Sequence, residues 1–325
     1  MKNDSSKAKK IIENAKTIAI FWHMSPDGDC IWSMLGLGKL LEKQKKKVKY
    51  FVPNTPSKIF HFIKKIKRLK SRFDYKKYDL LVFVDFTWIE RMGIIGQANP
   101  EYFKDKNILT IDHHPGEMKY GTMIKDVHSI STCEILFENT YKRRPELYDK
   151  EIATYFYLGI TTDSGNFLFG EDHIRTFTNA LKLLKLWADK DFVINNIIRK
   201  RSFNAIKFLQ LLLNRIQQQK DILYTYYDEA ELEEYGIDQE EASYGLHIIQ
   251  NIDGPKIFLL MRKVGDTIRW SLRAKEENNK DINCNKIAGK LWWGGHKLAS
   301  WFSVPIEWNF EKQIQTIVNK INKIR

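Results

Sequence analysis

Three short runs, "TIAIFWH" (17–23), "DLLVFVDF" (79–86) and "NILTIDHH" (107–114), are apolar almost throughout and then stop on an acidic or imidazole side chain. A strand with one wet face alternates apolar and polar residues, whereas a continuous run suits a strand covered on both faces, as in a parallel sheet flanked by helices. "KVKYFVP" (47–53) is a further strand, closed by Pro53, and helical stretches fall at 30–44, 131–142 and 149–161. This alternation predicts an α/β domain with a mostly parallel, doubly wound sheet.

From about 173 to 222 the pattern turns helical, with apolar residues at three and four spacing. Beyond it "DILYTYYD" (221–228), "PKIFLLMRKV" (255–264) and "TIRWSLRAK" (267–275) read as antiparallel strands of a smaller α+β domain, followed by a helix at 283–291 and a closing helix from about 310. The expected division is a first domain over 1–190, a helical linker over 191–218 and a second domain over 219–325. A chain of 325 residues, 43% hydrophobic and 13% aromatic, has the length and apolar content for two cores.

No stretch approaches 18 uninterrupted apolar residues, and the N-terminus "MKNDSSKAKKIIENAK" is polar. No membrane span or signal peptide is expected, and the scattered cysteines Cys30, Cys133 and Cys284 suit a reducing cytoplasm without disulfides or structural zinc. A formal net charge of +13 points to polyanionic partners, although many of the lysines simply solvate helix faces.

In open parallel sheets, ligands gather at the carboxyl ends of the strands. The first strand ends on His23 and leads into "MSPDGD", which supplies Asp27 and Asp29; the third ends on Asp85; the fourth ends on Asp112, His113 and His114; and the helix before "TTDSG" ends near Asp163. Each has a dull explanation when taken alone. Pro-Asp-Gly is good turn chemistry, Asp85 would serve as the N-cap of "TWIERMG", Asp163 precedes a Ser-Gly turn, and the histidine pair would divide into one core and one surface residue. Together, four aspartates converging with two or three histidines repel unless cations balance them. Two divalent metals supply that charge, and oxygen-rich ligation with some imidazole suits Mn²⁺, with Mg²⁺ or Co²⁺ as substitutes. Such a pair of ions is the clamp used in phosphoryl hydrolysis, and Asp85, alone on its strand and central, is the expected bridge.

The motifs "HMSPDGD" (23–29), "VFVDF" (82–86), "DHHPGE" (112–117) and "TTDSGNF" (161–167) resemble, in order and spelling, those of the DHH phosphoesterases. "WSLRAK" (270–275) and "DINCNKIAGKLWWGGHKLASWF" (281–302) resemble the DHH-associated C-terminal domain. The resemblance implies one metal on His23, Asp27 and Asp85 and another on Asp29, Asp85, His113 and Asp163. It places His114 at the scissile phosphate and Asp112 behind an imidazole, and it puts a substrate phosphate on Arg273 beside a loop of Gly294, Gly295 and His296.

Only 29 residues follow His296, which favours the compact nanoRNase branch over long single-strand exonucleases. Members of that branch trim short oligoribonucleotides to mononucleotides, and several dephosphorylate 3′-phosphoadenosine 5′-phosphate. Short single-stranded RNA or DNA and phosphorylated nucleotides are therefore the expected partners, and a homodimer stays open. Two alternatives stand. One is a phosphodiesterase for cyclic or linear dinucleotides, or a 5′ single-strand exonuclease, on the same metals. The other is a non-catalytic nucleic-acid-binding protein using basic stretches such as "KKIKRLKSR" (64–72) and "IIRKR" (197–201). Cys30, Trp32 and Trp293 depart from the family's usual spelling and leave substrate preference open.

Overall fold

The structure is a computed structural model that describes residues 4–24, 26–54, 56–63, 69–116, 121–275, 282–290 and 297–324. Contacts divide it into two compact units, one of residues 1–56 and 60–199, the other of residues 57–59 and 200–325.

The first unit runs α1 (Ser5–Asn14), β1 (Thr17–Phe21), α2 (Gly28–Lys43), β2 (Lys47–Phe51), β3 (Leu69–Lys70), β4 (Leu80–Val84), α3 (Ile94–Gln97), β5 (Ile108–Asp112), β6 (Thr122–Lys125), α4 (Thr132–Tyr141), α5 (Lys150–Asp163), α6 (His173–Lys185) and α7 (Lys190–Val193). Its sheet has the order β3-β2-β1-β4-β5-β6, with every pairing parallel. The chain leaves β1 toward one edge and returns through β4 to the other side, so strand order reverses between β1 and β4. That reversal opens a crevice at the strands' carboxyl ends. The continuous apolar runs are explained by double-sided cover: every residue of β4 and of β5 is buried. One face is aromatic, with Phe51, Phe73, Phe83 and Phe103 ringing Phe21 at centroid distances of 5.0–6.5 Å.

The second unit contains α8 (Phe203–Asn214), β7 (Gln217–Gln219), β8 (Ile222–Asp228), α9 (Glu229–Tyr235), α10 (Gln239–Ile249), β9 (Ile257–Val264), β10 (Thr267–Ala274), α11 (Cys284–Gly289), β11 (Ala299–Pro305) and α12 (Phe310–Ile324). The sheet order is β11-β10-β9-β8-β7. The expectation of antiparallel strands is corrected at one pairing: β8 and β9 run parallel, because α9 and α10 carry the chain back to the starting edge. Both faces are covered, Ile222 and Tyr224 lying in a core with Trp270 and Phe302, and Leu223 and Tyr227 in one with Phe208 and Leu246. Among the described residues no helix is long and apolar enough to cross a membrane.

Candidate metal centre

The residues singled out at the strand ends meet at the crevice of the first unit. Asp85, one residue beyond β4, is the centre of the group and is fully buried. Its φ of +67° lies in the left-handed region, which costs a non-glycine residue about 1–3 kcal/mol. The strain is offset locally. Its N–H donates to Ile111 O at 2.9 Å, extending the ladder, while Oδ1 accepts from Thr132 Oγ1 at 3.1 Å and Oδ2 stands 3.3 Å from His23 Nε2. His113 Nε2 and His114 Nδ1 each lie 3.5 Å from Oδ1. The capping explanation for Asp85 is ruled out by position, since the short helix Ile89–Met92 begins after Trp88 and has no side-chain cap.

Asp27 and Asp29 flank the start of α2. Asp27 caps it, Oδ1 accepting from Cys30 N at 3.0 Å. Asp29 is buried and faces the start of α4, where Oδ2 accepts from Thr132 N at 2.7 Å and Oδ1 from Cys133 N at 3.0 Å. The free amides and dipole of a helix N-terminus hold a carboxylate well. Gly159 on α5 makes room for this approach: a Cβ there would stand 2.1 Å from Cys133 Sγ and 2.8 Å from Asp29 Oδ1. Asp163, the last residue of α5, places Oδ2 3.2 Å from His113 Nε2, where that oxygen is buried without a hydrogen bond.

The two inner imidazoles are tethered alike. His23 Nδ1 stands 2.7 Å from Met24 O, and His113 Nδ1 stands 3.3 Å from Ser129 O. These Nδ1 contacts hold each ring with Nε2 turned toward the carboxylates, the orientation a metal-binding histidine needs. His114 is more exposed, and its Nδ1 lies 2.8 Å from Asp112 Oδ1, which also accepts from His114 N at 3.0 Å. The second oxygen of Asp112 is buried without a hydrogen bond.

Burial and neighbouring charges shift several of the clustered groups. Burial, with the charge of Asp85 behind it, pushes the Asp29 carboxyl up to about 7. Burial also raises Asp163 well above the carboxylate range, against the opposing pull of His113. Burial would raise Asp85 too, but hydrogen bonds from His113 and His23 and the charge of His114 hold it well below its usual value. His113 is raised despite its burial, by Asp163 and then Asp85. Asp29, His113 and Asp163 form one group whose donor atoms lie within 4.8 Å of one another, and Asp85, His113 and His114 form a second. This oxygen and imidazole set fits hard or borderline divalent metals.

The signals missed in the sequence are Thr132 and Cys133, which orient Asp29 and Asp85 through backbone amides and one hydroxyl. Of the other expected residues, Arg273 sits on β10, half-buried, with Nη1 donating to Leu272 O at 3.0 Å. Burial draws its guanidinium below the ordinary value, and among the described residues no carboxylate lies within salt-bridge range. Gly294, Gly295, His296 and Trp293 lie outside the described residues, as do residues 64–68 of the basic stretch. Trp32 is a core residue, stacked on Tyr155 at 5.5 Å.

A parallel α/β sheet that gathers aspartates and histidines beside its topological switch point defines an α/β domain with a cluster of groups that could hold a metal ion. Residues 17–160 match the model of the DHH family, N-terminal domain. Over 323 residues it is 26% identical to the bifunctional oligoribonuclease and PAP phosphatase NrnA of Mycoplasma genitalium, with 98% of each chain covered. In fold it is similar to an exopolyphosphatase-related protein from Bacteroides fragilis, with a TM-score of 0.86 and 22% identity over 98% of this chain and 95% of that one. It is similar also to RecJ from Thermus thermophilus in complex with Mn²⁺, with a TM-score of 0.53 and 13% identity over 98% of this chain and 53% of that one.

Proposed function

We propose that the protein is a metal-dependent phosphoester hydrolase that cuts short oligoribonucleotides to mononucleotides and removes the 3′-phosphate of 3′-phosphoadenosine 5′-phosphate. The observation that carries this reading is the convergence of Asp29, Asp85 and Asp163 with His23 and His113 into groups whose donor atoms lie within 4.8 Å of one another, with Asp27 near enough that its charge raises Asp29 and Asp163. The name of the Mycoplasma genitalium relative supports the two substrates.

In this reading His23, Asp27 and Asp85 hold one divalent ion and Asp29, Asp85, His113 and Asp163 the other, Mn²⁺ being the best match to the donors. When bound, the ions supply Lewis acidity toward the phosphoryl group and the attacking water. The protein's own groups do the positioning. Met24 O and Ser129 O fix the two inner imidazoles, Thr132 fixes Asp85, and the start of α4 fixes Asp29. His114, oriented by Asp112, donates to a phosphoryl oxygen as charge builds on it. Arg273 holds a substrate phosphate, since a guanidinium presents a planar fork of donors to it.

A second copy of the chain is the partner best matched to α6. Ile174, Phe177, Leu181 and Leu184 form an exposed stripe at coiled-coil spacing, with Glu171 and Asp172 at one end and Lys182 and Lys185 at the other. Two such helices packed antiparallel bring acid to base at both ends.

The test compares hydrolysis of two- to five-nucleotide RNA, 3′-phosphoadenosine 5′-phosphate, linear diadenylate and long single-stranded DNA, with Mn²⁺ and with excess chelator, in wild type and Arg273→Ala. Mn²⁺-dependent turnover of the first two, with a raised KM in the variant, is expected. Preference for diadenylate or long DNA would move the reading to the alternative phosphodiesterases. Turnover of none would leave a binding protein.

A further inference from the structure

Cys30 has no place in the reading above, yet its sulfur lies in the site. Its Sγ, an imidazole nitrogen of His23 and a carboxylate oxygen of Asp85 lie within 4.8 Å of one another, and all three residues are buried. Donors sharing one divalent ion through bonds of about 2.0–2.3 Å stand roughly 3–4.5 Å apart, so a small side-chain movement completes a ligand set. The turn that presents Asp27 and Asp29 also fixes this sulfur. Cys30 N–H caps onto Asp27 Oδ1, and Sγ–H donates weakly, at 3.7 Å, to the carbonyl of Val84, the residue before Asp85.

We propose that the Cys30 sulfur is a ligand of the ion held by His23 and Asp85, and that it turns this half of the site toward Zn²⁺, Co²⁺ or Fe²⁺ and away from Mg²⁺ and Mn²⁺. The proposal rests on the metal-holding reading and adds an asymmetry to it. Oxygen and imidazole donors together accept hard and borderline cations, and one sulfur moves the preference toward the thiophilic ones. The group of Asp29, His113 and Asp163 contains no sulfur, so the two halves select differently. Cys133, the other thiol nearby, is engaged with Ser33 Oγ at 3.2 Å and with Asp29 O at 3.8 Å. The sulfur ligates as a thiolate, and its proton passes to solvent as the metal–sulfur bond forms.

The experiment titrates Co²⁺ into the metal-free full chain and follows the near-ultraviolet spectrum, for wild type, Cys30→Ala and Cys133→Ala. A thiolate-to-cobalt charge-transfer band is expected in wild type and Cys133→Ala and absent from Cys30→Ala. Competition titrations should show Zn²⁺ affinity lower by about tenfold or more in Cys30→Ala, with Mn²⁺ affinity changed less than about twofold. X-ray absorption of the Zn²⁺-loaded wild type should find a sulfur neighbour at about 2.3 Å, a readout that needs no variant to fold. Co²⁺ binding without the band, no sulfur neighbour, or an unchanged Zn²⁺ to Mn²⁺ preference in Cys30→Ala would overturn the proposal and leave the metal centre standing. Failure of the wild type to bind any divalent ion would overturn both.

Discussion

Thr132→Val tests whether the metal centre is held in shape by groups that never touch the ions. Thr132 is fully buried, and its Oγ1 donates to Asp85 Oδ1 at 3.1 Å while its backbone N–H serves Asp29. Valine has nearly the same shape and keeps the amide, so the change removes one hydrogen bond to a buried carboxylate. Such a bond to a charged group contributes about 1.5–3 kcal/mol. At about 1.4 kcal/mol per factor of ten, the loss predicts Mn²⁺ affinity weaker by roughly 10- to 150-fold. Loss of an outer hydrogen bond to a metal ligand typically costs about 10–100-fold, so two routes give one range. Isothermal titration of the metal-free protein with Mn²⁺ measures this directly, and Thr132→Ser, which restores the hydroxyl, should recover most of the affinity. A Thr132→Val protein that binds Mn²⁺ within about twofold of wild type would refute the reasoning.

Gly159→Ala should destabilise the protein by about 1–3 kcal/mol and lower turnover, because the new methyl collides with Cys133 Sγ and Asp29 Oδ1; an unchanged denaturant midpoint would count against the close packing. Arg175 forks onto Glu138 at 2.8 and 2.6 Å and reaches Asp126 at 2.8 Å. Burial raises both carboxyls, but Arg175 outweighs it and holds them below their ordinary values. Depressed folded-state values mean stabilisation that is complete above the ordinary carboxylate range and is lost as pH falls through about 4 and below. Arg175→Met should lower the pH 7 melting temperature by roughly 5 °C and flatten that acid limb, which melts across pH 3–7 would show. On the proposed α6 pairing, light scattering should find a dimer for the wild type and a monomer for Phe177→Glu with Leu181→Glu; equal masses would remove the α6 interface.

Much of this was legible because a parallel sheet writes itself plainly: β1, β4 and β5 are buried on both faces and read as continuous apolar runs. The same geometry sends whatever follows each strand to one edge, which is why His23, Asp85 and His113 meet although 62 residues separate the first pair. Short edge strands carried too few residues for a pattern, as β3 with two and β7 with three show. The parallel pairing of β8 with β9 depends on where α9 and α10 return the chain, and no local spacing encodes that. Thr132 and Cys133 escaped for a related reason. Amides look alike in every sequence, and only the packing of α2 against α4 and α5 turns two of them onto Asp29.

The central claim is that the carboxylates and imidazoles at the sheet edge hold two divalent ions and that hydrolysis depends on them. Asp85→Asn tests it most directly, with Mn²⁺ counted per chain by equilibrium dialysis and hydrolysis of short RNA measured on the same samples. Two ions bound per wild-type chain, and loss of both binding and turnover in the variant with an unchanged circular dichroism spectrum, are predicted. Near-normal turnover by Asp85→Asn, or by wild type in excess chelator, would contradict the account.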